Sequence, residues 1–549
     1  MKKVCSVSGK TFEITDTDVK FYEKMGVPVP TLCPEERHRR RFSWRHGGKL
    51  FKVTCKGTGE KTFSMYSDQE PFPIYEQNYW WSDDWDAIEY AQEFDFSLPF
   101  FEQFQQLSTV VPRISLVNTN SVNSYYTSHG LNLKNCYVIV GGADSEDCLY
   151  GFFIQNCRDV IDADSLVNCE LGFSGNASID CYNCSYFTHC RNCSDSFLLH
   201  DCLACKDCLA CVGLSHKQYY VFNKAHTKEE YIKLKAQYCS GKHSDLEKMI
   251  QKFETLKQTT ISPPSYLYNC EECTGDMLFN CAHCKESFDC KNTENCKYLS
   301  FSPNGLESYD CAFNAPKGVQ FSYENISTLG NNMIGNVLVW HGSDTSYSVE
   351  CHNSKNLFGC IGLKHKQYCV LNKQYSKEEY FILRNKIIEH MEKTKEWGEF
   401  FPIELSPFAY NETVAQEYFP MTQNEVLNKG WKWRNNETQT RLIASLSLGK
   451  ISNDIADISD SVCDEILACE CCGKNYKIQK AELKFYRKMN LPIPRKCPDC
   501  RHKERMDLRN PRKLWERKCK KCNTNIQTTF APERPENIYC EQCYLDFLE

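Results

Sequence analysis

Eight cysteines near the carboxyl end stand in four Cys-x-x-Cys pairs: Cys469/Cys472, Cys497/Cys500, Cys519/Cys522 and Cys540/Cys543. Two residues between thiols let one tight turn aim both sulfurs at one ion. Two such turns complete a tetrahedron of the kind zinc takes, with Zn–S near ~2.3 Å. The pairs combine in chain order into two four-thiolate sites. The second site has 17 residues between its pairs, within common zinc spacing, and the first has 24, enough to hold a helix over QKAELKFYRKM. Two zinc ions per chain are expected.

The module that carries these thiols occurs twice. Shifted by 464 residues, KFYEKMGVPVPTLCPEERHRRR from Lys20 matches KFYRKMNLPIPRKCPDCRHKER from Lys484, without a gap from Cys5/Cys469 to Tyr79/Cys543. The eight equivalent positions of the first copy are Cys5, Ser8, Cys33, Glu36, Cys55, Thr58, Glu76 and Tyr79. Three cysteines in eight cannot close a normal zinc site. This copy is expected to keep its fold through packing and to hold no structural zinc.

The C-terminal copy resembles the probable zinc-ribbon domain family on Cys469, Cys472, Gly473, Phe485, Tyr486, Pro494, Cys497, Cys500 and Arg501. The whole chain resembles uncharacterised bacterial proteins with a zinc ribbon at each end and a cysteine-rich repeat middle. The resemblance implies small α+β ribbon or treble-clef-like modules and supplies no activity. Its departure is the eroded first ligand set.

Other residue groups could also do chemistry. Cys270, Cys273, Cys281 and Cys284 offer a further metal quartet, and Cys202, Cys205, Cys208 and Cys211 have the spacing of an iron–sulfur ligand run. A cluster there would make the protein a metal-cluster or redox enzyme. A row of packed thiols explains the second run as well, since Cys181, Cys184 and Cys190 are its partners 21 residues earlier. Alternation along a strand also argues that a two-residue gap cannot place all four thiols on one face. His216 and His365 sit in matching HKQY motifs, read as packing residues of a cap. No Ser/His/Asp order, phosphate-cradling glycine loop or HExxH is present.

Two basic runs suggest a polyanion. Arg37, Arg39, Arg40, Arg41 and Arg45 lie in the first, and Arg501, Lys503, Arg505, Arg509, Arg512 and Lys513 in the second, mixed with aromatic residues. Arginine forks bind phosphate and aromatic rings stack on unpaired bases, so RNA or single-stranded nucleic acid is the expected partner. The alternatives are a pure protein–protein scaffold and the redox enzyme above.

The middle of the chain, which must position these residues, carries a repeat. Cys148, Cys169, Cys190 and Cys211 lie 21 apart, with steps of 9 and 12 between columns, and Asn or Asp often precedes the cysteine. Short segments such as CYVIV and CLYGFFI suit strands. This reads as a parallel β-helix, a solenoid of about 21-residue coils with three faces, in which residue n+21 stacks on n. CVGLSHKQYYVFNKAHTKEEY from Cys211 and CIGLKHKQYCVLNKQYSKEEY from Cys360 mark two diverged halves, 149 residues apart. Each is followed by a capping helix whose start fits a capping box, Thr227 with Glu230 and Ser376 with Glu379.

The fold class is therefore mainly β: a central solenoid between two small zinc-ribbon-like modules. The expected segments are a degenerate module at 1–82, a connector at 83–125, solenoid halves at 126–225 and 263–374 around a helical spacer at 226–262, a capping helix at 375–400, an extended connector at 401–465 with a short helix near Thr422 to Asn428, and the double zinc module at 466–549. Of 549 residues 36 are cysteine. The first residues, MKKVCSVSGKTFEITD, contain no apolar run of signal-peptide length, and no stretch of membrane-spanning length exists, so a cytoplasmic protein with reduced thiols and no membrane partner is expected.

Overall fold

The computed structural model describes residues 1–435 and 451–548; the rest of the expected connector, 436–450, and Glu549 lie outside the described residues. Among the described residues the chain is mainly β, with short strands far outnumbering its twelve α-helices. None of these helices is long and apolar enough to cross a membrane.

The chain forms two compact units. One combines Met1–Leu116 with Ser265–Asn435 and Arg512–Leu514; the other combines Val117–Pro264 with Asn436–Pro511 and Trp515–Glu549. The N-terminal module thus packs with the second repeat half, and the C-terminal module with the first.

In the second unit the sheet has nine strands, parallel throughout except for a final antiparallel pair, Tyr220–Val221 with Lys224–Ala225. The register is constant. Leu149 pairs with Tyr137 and Ile161, Ile161 with Phe173, Phe173 with Ser185, Ser185 with Phe197, and Phe197 with Leu209, always twelve residues apart. The expected stacking of n+21 on n is therefore corrected to n+12. The 21-residue period is a 9 plus a 12. Twelve is the step between paired strands, and nine leads from a thiol to the carbonyl it meets, as in Cys148 Sγ to the Cys157 oxygen at 3.6 Å.

The expectation of three faces is corrected as well. From Asn156 to Ala210 every third residue has φ between 45° and 58°. Left-handed backbone at every third position redirects the chain four times in each twelve residues. Asn and Asp hold this conformation at least cost among residues with a side chain, which is why they precede the cysteines. Their side chains also bond to their copies on the next rung: Asn156 Nδ2 donates to Asn168 Oδ1 (3.1 Å) and Asn168 Nδ2 to Asp180 Oδ1 (2.8 Å).

Inward positions consequently recur every third residue, not every second. Cys202, Cys205, Cys208 and Cys211 are all buried in one core with Cys181, Cys184, Cys190 and Cys193. Each thiol lies within hydrogen-bond reach of the carbonyl two residues back, and all of these but Cys190 also of the one nine ahead, so the single S–H is shared; for Cys202 the two are His200 (3.4 Å) and Cys211 (3.6 Å). Serines take the same role elsewhere. Ser178 Oγ donates to the Asn176 carbonyl (2.8 Å) and accepts the Cys190 N–H (3.0 Å).

In the first unit the equivalent ladder is less regular. Leu267 pairs with Leu278 eleven residues on, Tyr309 with Tyr323 fourteen on, and Thr345 with Leu357 twelve on. Helices follow both ladders, Lys228–Tyr238 and Lys377–Thr394, each opened by the capping box expected from Thr227/Glu230 and Ser376/Glu379. Further helices span His243–Thr259 and Gln423–Asn428.

The two modules fold alike. The first has a hairpin (Lys2–Val4 with Thr11–Glu13), helices Asp16–Met25 and Pro34–Phe42, and a second hairpin (Phe51–Thr54 with Lys61–Ser64). The C-terminal module repeats the order with Leu467–Ala468 and Asn475–Tyr476, Lys480–Met489, Pro498–Asp507, and Trp515–Lys518 with Asn525–Thr528. Equivalent aromatic residues seat each module on its ladder: Tyr22 meets Tyr323 edge-on at 5.5 Å, and Tyr486 meets Phe173 edge-on at 5.5 Å.

Candidate metal centres and the arginines around them

The first hairpin of the C-terminal module delivers Cys469 and Cys472 through a tight turn. Cys469 N–H bonds to the Lys474 carbonyl and Gly473 N–H to the Cys469 carbonyl, both at 2.9 Å, with Gly473 at φ 71°. The start of the helix Pro498–Asp507 delivers Cys497 and Cys500, with Pro498 in its first turn where no N–H is needed. The second site is built the same way, Asn523 at φ 60° taking the part of Gly473, and the helix Glu541–Leu548 bringing Cys543.

In each quartet all four sulfurs lie within 4.8 Å of one another. Cys472 and Cys497 sulfurs are 3.7 Å apart, and Cys522 and Cys540 sulfurs 3.6 Å. A zinc tetrahedron with bonds of ~2.3 Å has edges near ~3.8 Å, so the thiols already stand at ligand separation. Backbone N–H groups favour the thiolate form. Burial pushes the Cys469 thiol up, but N–H groups of Cys497, Cys472 and Cys471 outweigh it and bring it down to about 7. Burial likewise raises Cys519, and the N–H groups of Cys522, Cys540 and Lys521 bring it down to about 6. Both quartets could hold a metal ion, and both are consistent with ribbon-like modules.

The N-terminal copy is filled differently. Ser8 Oγ lies 3.7 Å from Cys33 Sγ, while both Glu36 oxygens sit 2.8 Å from Arg39 Nη1. At its second position, Cys55 Sγ still accepts N–H bonds from Thr58 (3.4 Å) and Glu76 (3.2 Å). Glu76 now caps the helix Gln77–Trp81. The Tyr79 ring lies against Gly57, where a Cβ would come within 2.1 Å of it. Aromatic packing and a helix cap occupy the ground of the lost ligands.

Among the described residues, only the two C-terminal groups bring three or more ligand atoms within 4.8 Å. Cys270, Cys273, Cys281 and Cys284 do not gather; they donate to carbonyls of the first-unit ladder, as Cys270 does to Tyr268 and Leu278, both at 3.4 Å. The run Cys202 to Cys211 does not gather either. Burial pushes ladder thiols such as Cys157, Cys311 and Cys351 up to about 12, away from thiolate chemistry.

The basic runs prove to be largely internal. Arg37 pairs with Asp310 (3.0 Å), and Arg41 with Glu324 (2.5 Å) and Asp310 (3.0 Å). Arg501 and Arg505, the equivalents of Arg37 and Arg41, pair with Asp162 of the other ladder (2.8 and 3.2 Å), Arg501 also with Glu482 of its own module (3.2 Å), and Arg509 pairs with Asp164. Arg39 pairs with Glu36, Arg40 with Glu399 (3.0 Å), and Arg45 with Ser327. Arg512 pairs with Asp289 (2.6 Å) between the rings of Phe301 and Tyr418. Lys503 and Lys513 are exposed. These carboxylates were not legible beside the arginine runs, because Asp162 and Asp310 stand in the ladders, far from the arginines in the chain. No protein-family model matches this chain, and comparison with characterised proteins returns no match.

Proposed function

We propose that the protein is a non-enzymatic zinc-binding scaffold, in which two parallel β-solenoids of twelve-residue coils carry ribbon-type modules, one metal-loaded and one metal-free. The observation that carries this reading is the pair of thiol quartets at ligand separation, four sulfurs each within 4.8 Å. The choice of zinc follows from the all-thiolate, tetrahedral donor set. A scaffold role is supported by what the remaining chemistry-bearing groups do. Ladder thiols bond to carbonyls, and module arginines fasten the modules to the ladders. A polyanion-binding role for the basic runs is the weaker reading, because their guanidinium forks already hold carboxylates.

Elemental analysis of the purified chain tests the proposal. Two zinc ions per chain and a colourless solution are expected. Iron with visible absorbance, or a chain that folds fully without metal, would overturn it.

A further inference from the structure

The duplicated ladder ends differ in one respect. In the first unit the ladder end is covered by the segment Trp80–Glu93. Lys364 Nζ donates to the carbonyls of Trp80 (2.8 Å) and Ser82 (2.9 Å) and lies over the Trp80 and Trp85 rings at 5.3 and 5.2 Å. Lys366 pairs with Asp86 (2.6 Å) and Lys373 with Glu93 (2.5 Å). Asn372 Nδ2 donates to the Ala87 carbonyl (2.9 Å), and Gln92 N–H to the Leu371 carbonyl (3.0 Å). Gly362 lies beneath this cover: a Cβ there would meet Trp85 at 3.4 Å and Ala87 at 3.5 Å. Leu371 and Asn372 are both 0% exposed.

The second unit carries the same receiving surface 149 residues earlier. Gly213, Lys217, Asn223 and Lys224 stand where Gly362, Lys366, Asn372 and Lys373 do, and Phe222 stands for Leu371. Asn223 makes the same pair of bonds to its own ladder, with the Val212 N–H (2.9 Å) and carbonyl (2.8 Å), as Asn372 makes with Ile361. Among the described residues no segment covers this end. No described atom comes within 4 Å of a Cβ at Gly213, Lys217 and Lys224 are exposed, and Phe222 and Asn223 are partly buried.

The geometry points to a docking site on this surface for an extended acidic–aromatic segment of a partner protein, patterned like Trp80–Glu93. Such a segment would place an aromatic ring over Gly213, one carboxylate on Lys217 and another on Lys224, and a carbonyl on the Asn223 amide. The chain's own Trp80–Glu93 is engaged in the first unit, so the occupant is assigned to a second protein. Ser215 replaces Lys364, so the site lacks the cation that holds two carbonyls and faces two rings in the first unit. This inference names a partner class for the proposed scaffold and does not depend on the metal at either quartet.

The probe is a fluorescein-labelled synthetic peptide, WWSDDWDAIEYAQE, titrated with the full-length protein and read by fluorescence anisotropy. Saturable binding is expected, weakened about tenfold or more when Lys217→Glu and Lys224→Glu remove both charge pairs. Ser215→Lys should tighten it several-fold. All three positions lie at or near the surface, and circular dichroism and metal content of each variant establish that the fold is intact. Absence of binding, equal binding of a scrambled peptide, or indifference to the double charge reversal would overturn the docking site. Zinc content measured on the same samples reports separately on the scaffold reading.

Discussion

Arg501 Nε lies 2.8 Å from Asp162 on the first ladder, and Arg37, its counterpart 464 residues earlier, lies 3.0 Å from Asp310 on the second. The two pairs are one interface used twice, each inside its own compact unit. Both arginines are nearly fully buried, and buried charge is tolerable only while paired. Removing one partner leaves the other stranded in a dry site. Asp162→Ala or Arg501→Ala should therefore destabilise the second unit by about 3–5 kcal/mol, and Asp310→Ala or Arg37→Ala the first by a similar amount. Denaturant unfolding of the four variants checks this. Arg501→Lys should recover little, because a point charge cannot reach both Asp162 and Glu482 as the planar fork does.

Metal stoichiometry should follow the quartets one at a time. Cys500→Ser is expected to halve the zinc content, and Cys500→Ser with Cys540→Ser to abolish it. Cys5→Ser and Cys33→Ser should leave it unchanged. A strong chelator should unfold the second site first, because its core beside the cysteines is only Ile526, Phe530 and Ile538, whereas the first packs into a larger apolar cluster with Leu483, Tyr486 and Ile493, and the metal's binding free energy is folding free energy. Mass spectrometry under native conditions reads all four outcomes. Zinc lost from the Cys5 or Cys33 variants would place a ligand set in the N-terminal copy after all.

The thiol quartets and the module duplication were legible because a Cys-x-x-Cys pair is local and the 464-residue match is ungapped. The ladder was only half legible. The cysteine columns recorded the sum of two contacts, the nine-residue step to a carbonyl and the twelve-residue step between strands, so the 21-residue period looked like the coil. The three-residue rhythm was visible in residues such as Asn156, Asp159 and Asp162 but was masked where Leu198, Tyr186 or Ala177 hold the same left-handed backbone. The arginines misled for a different reason. A run such as RHRRR looks solvated until carboxylates about 270–290 residues away, at Asp310 and Glu324, are brought to it.

That rhythm makes a prediction at an exposed site. Asn168 has φ 54° and links Asn156 to Asp180 through its side chain. Asn168→Ala should cost about 1–2 kcal/mol from left-handed strain alone, and more with both side-chain bonds lost. Asn168→Gly removes the strain but not the bond loss, so it should be the milder change. Asn168→Asp keeps the tolerance for left-handed backbone but sets a carboxylate against Asp180 in place of the donated bond, so it should be harsher than glycine at neutral pH. Thermal melts of the three variants rank these effects. Alanine as the mildest of the three would contradict the left-handed assignment.

Asp201 ties pH to stability in the second unit. Burial pushes its carboxyl up to about 6, with the Tyr544 hydroxyl, donating at 2.9 Å, partly offsetting this. In the unfolded chain the group titrates near ~3.9. Between these values the folded protein holds a proton that the unfolded chain has released. The carboxyl's contribution therefore favours folding fully below about pH 4, and that contribution is lost as pH rises through about 6. Asp201→Asn keeps an acceptor for Tyr544 and cannot ionise. It should raise stability relative to wild type, and by more at pH 7.5 than at pH 5. Comparing variant with wild type at each pH cancels the separate effect of acid on the thiolate sites. A difference that shrinks toward neutral pH would mean that the ionised carboxylate gains more from Tyr544 than it loses by burial.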